Sequence, residues 1–108
     1  MTLDDTAFEK TADDTLATFL DAIDEALGDR LDVDLQGGIL TIELEAGGQY
    51  VINKHGPNRQ IWMSSPKSGA SHYDFDEAAG AWCDTRSGAR LDVVLAGELA
   101  AFGPVELS

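Results

Sequence analysis

A single cysteine, Cys83, excludes an internal disulfide and any Cys-x-x-Cys metal or redox pair. Cations are scarce as well: 7 Lys and Arg stand against 20 Asp and Glu, a formal net charge of −13. That shortage opposes nucleic-acid binding, because neutralising phosphates requires clustered Lys and Arg. It opposes docking on anionic membranes too. It favours a cation, or a partner with a basic surface. No stretch approaches the roughly 20 apolar residues of a membrane span. The first residues carry acids rather than an Arg-rich or apolar leader, which predicts no targeting peptide and a cytoplasmic protein. There is no repeat, low-complexity tract or interdomain linker, so the 108 residues predict one domain spanning 1–108. A domain of this size buries roughly two thirds of its unfolded surface, enough for one modest core. Cys83 adjoins Trp82 in a run with strand character and reads as a small buried hydrophobe.

Thr2 followed by Asp5 fits a capping box with an acidic third residue. Apolar residues then recur at Phe8, Ala12, Leu16, Phe19, Leu20, Ile23 and Leu27, the spacing of a helix, with Gly28 placed to end it. Short apolar runs follow, at Val33 and Leu35, Ile39 to Leu44, Tyr50 to Ile52, Ile61 to Met63, Tyr73 to Phe75 and Ala81 to Cys83. Gly37-Gly38, Gly47-Gly48, Gly56-Pro57, Ser65 to Gly69 and Gly80 separate them as turns. A second helix is expected from Arg90 to Phe102, with Leu91, Val94, Leu95 and Leu99 on one face, ending before Gly103-Pro104. Two helices flanking roughly five to seven short strands predict an α+β fold. The expected form is a two-layer sandwich, both helices covering one face of an antiparallel sheet and the other face left to water.

Tyr50 to Ile52 and Ile61 to Met63 flank a Gly-Pro-Asn turn, the pattern of an antiparallel hairpin. Side chains alternate faces along a strand, so Ile61 and Met63 share one face while Gln60, Trp62 and Ser64 share the other. A large aromatic among polar neighbours is a candidate contact residue. Trp62, Gln60 and Asn53 are therefore expected on the open face of the sheet.

On a helical wheel, Asp13, Asp14, Asp21, Asp24 and Glu25 lie opposite the apolar stripe, with Glu9 at its margin. Asp29, Asp32 and Asp34 continue the charge into the first strand. Like charges meet at helical spacing in Asp5 with Glu9, Glu9 with Asp13, and Asp21 with both Asp24 and Glu25. Each such pair costs the helix roughly 0.2–0.5 kcal/mol. Along the helix only Lys10, one turn from Asp13 and Asp14, relieves this. The face reads either as an ordinary solvated one or as a cation-binding surface. Carboxylates are hard ligands that suit iron, Mn²⁺, Ca²⁺ and Mg²⁺. No HxxxH, ExxH or Cys cluster accompanies them, so binding there would be shallow and weak. His55 and His72 have no spaced partner and read as surface or turn residues rather than metal ligands.

Asn53-Lys54, Pro57-Asn58, Gln60-Ile61-Trp62 and Ser64-Ser65-Pro66, followed by Ser68-Gly69 and Tyr73-Asp74, closely resemble the signature of the frataxin family. The acidic helix before the hairpin, Trp82 after it, and Leu91 to Leu99 as a closing helix extend the resemblance over nearly the whole chain. It implies the same α-β-α sandwich. It also implies iron-binding carboxylates along the first helix and the edge of the first strand. Aligned through Leu3-Asp4-Asp5 and Asp13-Asp14-Thr15-Leu16, the matching positions are Glu9, Asp13, Asp14, Asp21, Asp24, Glu25, Asp29 and Asp32. Ala17 occupies a position that is acidic in some members. The implied partners are a cysteine desulfurase and an iron–sulfur scaffold protein, met by Asn53, His55, Asn58, Gln60, Trp62 and His72. His55 stands where many members have Gln, His72 where some have Arg, and Phe75 replaces a Trp. These two histidines make contacts in that region open to pH near neutrality.

The function so implied is a monomeric accessory protein of iron–sulfur cluster assembly. It would hold Fe²⁺ or Fe³⁺ weakly, use no organic cofactor, and supply no catalytic residue. The alternative is a ferroxidase acting on the same ridge, though nothing resembles a buried Glu-x-x-His di-iron site. A third reading is a plain acidic binding module.

Overall fold

The computed structural model describes residues 4–107. The elements run α1 (Asp5–Leu27), β1 (Leu31–Gln36), β2 (Ile39–Leu44), β3 (Gln49–His55), β4 (Gln60–Ser65), β5 (Gly69–Asp76), β6 (Ala81–Asp84) and α2 (Leu91–Leu99). The six strands pair in chain order as an antiparallel meander. Both helices pack on one face of it, which is the expected two-layer sandwich.

Thr2 of the predicted capping box lies outside the described residues. The cap is Asp4, whose carboxylate accepts the Ala7 N–H at 2.8 Å. An Asp here is worth about 1 kcal/mol over Ala. Phe8, Ala12, Leu16, Phe19, Ile23 and Leu27 are buried by α1, while Leu20 stays half-buried at the edge of the stripe. Gly28 ends the helix with ordinary helical dihedrals, its N–H on the Asp24 carbonyl at 2.9 Å.

The second helix is shorter than expected and ends at Leu99, with Ala100 to Phe102 in a turn. Gly103 sits at φ +147 against Leu27, where a Cβ would come within 2.9 Å of Leu27 Cδ2. The chain must turn there, and Leu107 then returns to the core at 5% exposure. Leu91, Leu95 and Leu99 are buried against the sheet.

The inner sheet face carries Leu40, Ile42, Tyr50, Ile52, Ile61, Met63 and Tyr73 into the same core. Trp82 is buried too, its Nε1–H donating to Thr15 Oγ1 at 2.9 Å and its ring edge-on to Phe8 and Phe75. Because Trp82 points inward, Cys83 points outward, opposite Asp74. Cys83 is half-buried on the outer face, which corrects the reading of it as a core hydrophobe.

A polar knot ties α2 to the sheet. The Glu98 carboxylate accepts hydrogen bonds from Tyr50 OH at 3.0 Å, Ser65 Oγ at 2.6 Å and Ser68 Oγ at 2.7 Å. Ser65 Oγ in turn accepts the backbone N–H groups of Lys67 and Ser68. Burial pushes the Tyr50 phenol up to about 12, and the Glu98 carboxylate beside it acts in the same direction. For Glu98, burial pushes upward, but the three hydroxyl donors outweigh it and the carboxyl lies below its ordinary value. None of the described helices is long and apolar enough to cross a membrane.

Candidate functional site

Two surfaces carry the residues singled out above. The first is the outer sheet face. The strand registers align Gln36, Ile39, Asn53, Trp62 and His72 in one row across β1 to β5. His55, Gln60 and Asp74 form the neighbouring row. The helices cover the other face, so these side chains meet solvent or a partner. Ile39 is 47% exposed, large for an apolar residue.

Trp62 is not the open aromatic that alternation alone suggested. Its indole lies between two imidazoles. The His55 ring centroid is 3.6 Å away with planes 10° apart, and the His72 centroid 4.2 Å away with planes 13° apart. Its Nε1–H donates to Gln60 Oε1 at 2.8 Å, and Gln60 Nε2 donates to Asp74 Oδ1 at 3.0 Å. Trp62 and His55 are half-buried and His72 is exposed. The two histidines, which have no spaced partner in the sequence, are brought together here across the sheet. His72 is the direct strand partner of Trp62, and His55 is one row away on the same face. Asn53 joins the row and donates to the Lys54 carbonyl at 3.2 Å. Asn58 does not: it is exposed in the hairpin turn, beyond the ends of β3 and β4. That turn is pinned to the helix layer, since Arg59, at φ +50, holds Asp5 at 2.8 Å.

The second surface is the acidic ridge. Glu9, Asp13, Asp14, Asp21, Asp24, Glu25, Asp29 and Asp32 are all exposed. Asp32 faces Glu43 across the β1–β2 pair, adding an acid the sequence alone did not place beside it. The ridge is not uniformly bare. Lys54 reaches down from β3 to Glu9 and to Asp13, the latter at 2.9 Å. Lys10 holds Asp14 at 2.8 Å. Relief of the crowding therefore comes from the hairpin as well as from Lys10. Its carboxylate partners, Glu9 first and Asp13 next, raise the Lys54 ammonium above its ordinary value. Among the described residues, Asp21, Asp24, Glu25, Asp29 and Asp32 have no ion-pair partner. The described residues also hold no preformed group of three or more His, Cys, Asp or Glu side chains poised on one ion. The ridge can attract cations and hold them singly, through one or two carboxylates. A separate cleft of about 390 Å³ opens between α1 and α2, lined by Thr18, Phe19, Phe75, Arg90, Asp92 and Leu107 among others. Of the ridge acids it touches only Asp14.

The profile of the frataxin-like domain matches residues 1–103. Mitochondrial frataxin of Arabidopsis thaliana is 43% identical over 101 residues, covering 90% of this chain and 54% of that protein. The mitochondrial frataxin homologue of Schizosaccharomyces pombe is 39% identical over 100 residues, covering 89% and 63%. The chain thus spans between half and two thirds of the length of these curated relatives. Frataxin of Psychromonas ingrahamii superposes with a TM-score of 0.85 at 28% identity, covering 98% of this chain and 99% of that one. Trimeric yeast frataxin, complexed with ferrous, superposes with a TM-score of 0.74 at 41% identity, covering 84% and 83%. The curated relatives overturn the cytoplasmic placement expected from the acidic start of the sequence, because those from Arabidopsis, both yeasts and Caenorhabditis elegans are named as mitochondrial. The acidity of the first residues is therefore no guide to compartment.

Proposed function

The chain belongs to the frataxin family, and from that membership we propose that it is an iron-binding accessory protein of iron–sulfur cluster assembly. Iron is its cargo, taken up on the ridge. The outer sheet face around Trp62 docks a cysteine desulfurase and its scaffold protein, and the chain acts as a monomer. The observation that carries the iron reading is the row of exposed carboxylates from Asp21 to Asp32, none of them ion-paired among the described residues, with Arg30 in their midst bonded instead to the Phe102 carbonyl at 3.0 Å. Ferrous iron on a yeast relative of 41% identity supports it. Bare carboxylates on a convex helix give weak, poorly selective binding, which suits delivery better than storage. Mitochondrial names among the relatives support the same compartment for this chain.

Titration with Fe²⁺ or Co²⁺ under nitrogen, followed by NMR, tests the metal half. Broadening should centre on Asp21, Asp24 and Glu25. Asp21→Asn with Glu25→Gln should weaken it and leave the fold intact. Broadening confined to His55, His72 or Cys83 would place the metal elsewhere. Capture of a purified desulfurase–scaffold complex tests the docking half. Fe²⁺-dependent oxygen uptake would replace the carrier reading with a ferroxidase.

A further inference from the structure

The ring stack around Trp62 is not symmetric. Both indole faces are covered and the indole N–H is engaged by Gln60. The two covering rings differ in their surroundings. His72 is exposed. His55 Nδ1 is sealed from solvent with no hydrogen-bond partner among the described residues. In a neutral imidazole that atom can remain a bare lone pair, with the proton on Nε2. In the charged ring both nitrogens are donors, and a buried N–H of a cation without an acceptor is far more costly than an unused lone pair.

The charged groups around the stack do not relieve this. Gln60 lies opposite His55 but is bonded to Trp62 and Asp74, so Asp74 is engaged through that amide. Lys54, the chain neighbour of His55, is turned to the helix side and held by Glu9 and Asp13. Arg59, beside Gln60, is held by Asp5. Around His72 stand Asp74, two residues along the same face, with Asp84 and Arg86 lining a shared hollow. Cys83 lies opposite Asp74. A proton on His72 therefore has carboxylates nearby; the indole attracts a cation on either face, so the two rings differ in their acceptors and not in that attraction. A proton on His55 Nδ1 has no acceptor where the ring now lies.

We propose that His55 is a proton-operated cover on Trp62: neutral, it lies on the indole and hides one face; charged, it swings to solvent and exposes that face, while His72 stays stacked. An indole with a free face is the better contact, because a flat aromatic surface can then seat against an apolar pocket of the partner. Mild acid should thus strengthen docking of the desulfurase–scaffold complex. This regulatory step rests on the docking reading above, but the movement of the ring can be measured without any partner.

Two experiments decide it. In the free protein, the carbon-bound ring protons of His55 and His72 are followed by NMR from about pH 8 to about pH 5.5. Both start displaced by the indole ring current. The His55 protons should lose that displacement as the ring charges, and the His72 protons should keep it. If His55 stays stacked throughout, the proposal is wrong. In the second, binding to the purified complex is compared for wild type, His55→Phe and His55→Ala at the same two pH values. The Phe ring covers Trp62 at any pH and the Ala never does. Wild type should match the Phe variant at high pH and approach the Ala variant at low pH, the two variants differing about tenfold. If the two variants bind alike, the cover has no part in docking. If wild type and both variants fail to bind at any pH, the docking reading falls, while the NMR result still stands on its own.

Discussion

Lys54 Nζ lies 2.9 Å from Asp13 Oδ1 and also holds Glu9, so a residue of the hairpin pairs with two acids in the first half of the acidic helix. Arg59 does the same for Asp5, again from the hairpin, and Lys10 for Asp14 from within the helix. The ridge is therefore two surfaces. From Asp5 to Asp14 each of Asp5, Glu9, Asp13 and Asp14 has an ion-pair partner; from Asp21 to Asp32 no acid has one among the described residues, Arg30 being bonded to the Phe102 carbonyl. A cation entering at Glu9 or Asp13 must displace an ammonium, whereas one entering at Asp21 or Glu25 displaces only water.

The order of filling follows from that difference. Signals of Asp21, Asp24, Glu25, Asp29 and Asp32 should broaden at lower Co²⁺ than those of Glu9, Asp13 and Asp14. Lys54→Met should erase the gap for Glu9 and Asp13 and leave the other residues unchanged. Its cost in stability should stay within about 1 kcal/mol, since the pair is partly exposed. If Glu9 and Asp13 broaden first in wild type, ion pairing does not set the order.

The Glu98 knot makes a second prediction, at acid pH. The folded-state carboxyl lies below its ordinary value, so it binds its proton less readily than in the unfolded chain. The stabilisation is then present above the unfolded value, near 4.5, and is lost as pH falls through the folded one. Tyr50 behaves oppositely at the other end. Its value rises from 10.0 to about 12 on folding, so stability falls as pH climbs through that window. Glu98→Gln should flatten the acid limb of the stability curve and lower stability at neutral pH by about 1–3 kcal/mol, the cost of unpaired buried hydroxyls. Chemical denaturation at a series of pH values measures both. An unchanged acid limb would show that another carboxylate sets it.

Much of this architecture is legible in the sequence. The period of Phe8, Ala12, Leu16, Phe19, Ile23 and Leu27 marks α1 and its buried face without ambiguity, because six such positions cannot share one side of a strand. The hairpin is equally plain from Gly56-Pro57-Asn58 between two apolar runs. What escaped depends on register or on distance in the chain. The His55–Trp62–His72 stack needs the alignment of three strands, which no local pattern reports. Lys54 and Glu9 are 45 residues apart, so their pairing follows only from how α1 lies across β3. The apolar neighbours of Cys83 suggest burial in the core; its outward direction follows from Trp82 having the inward one.

Stability data should separate Trp62 from Ile61. The outward position of Trp62 first suggests a nearly silent alanine variant. The stack revises that, since an aromatic pair contributes about 0.5–1.5 kcal/mol beyond area. With two such pairs and a half-buried ring, Trp62→Ala should cost about 1–3 kcal/mol. Ile61, fully buried, should cost about 2–5 kcal/mol as Ile61→Ala. Urea denaturation of the two variants provides the comparison. A Trp62→Ala loss equal to that of Ile61→Ala would mean the outer face is itself a second core.

Binding kinetics should divide the two surfaces by their physics. Contact at Trp62 is short-ranged and insensitive to salt, so Trp62→Ala should weaken capture of the desulfurase–scaffold complex by about 2 kcal/mol or more at every ionic strength, mainly through faster dissociation. The ridge acts at a distance. A net charge of −13 steers the chain toward a basic surface, and added salt screens that field over roughly 10 Å at 0.1 M. Neutralising Asp21 and Glu25 should therefore slow association at low salt, leave dissociation nearly unchanged, and flatten the salt dependence. Both variants are measured against the same purified complex across a salt series. Should Trp62→Ala bind like wild type while the ridge variant loses binding at all salts, the contact lies on the helix and the outer sheet face is left without the role proposed for it.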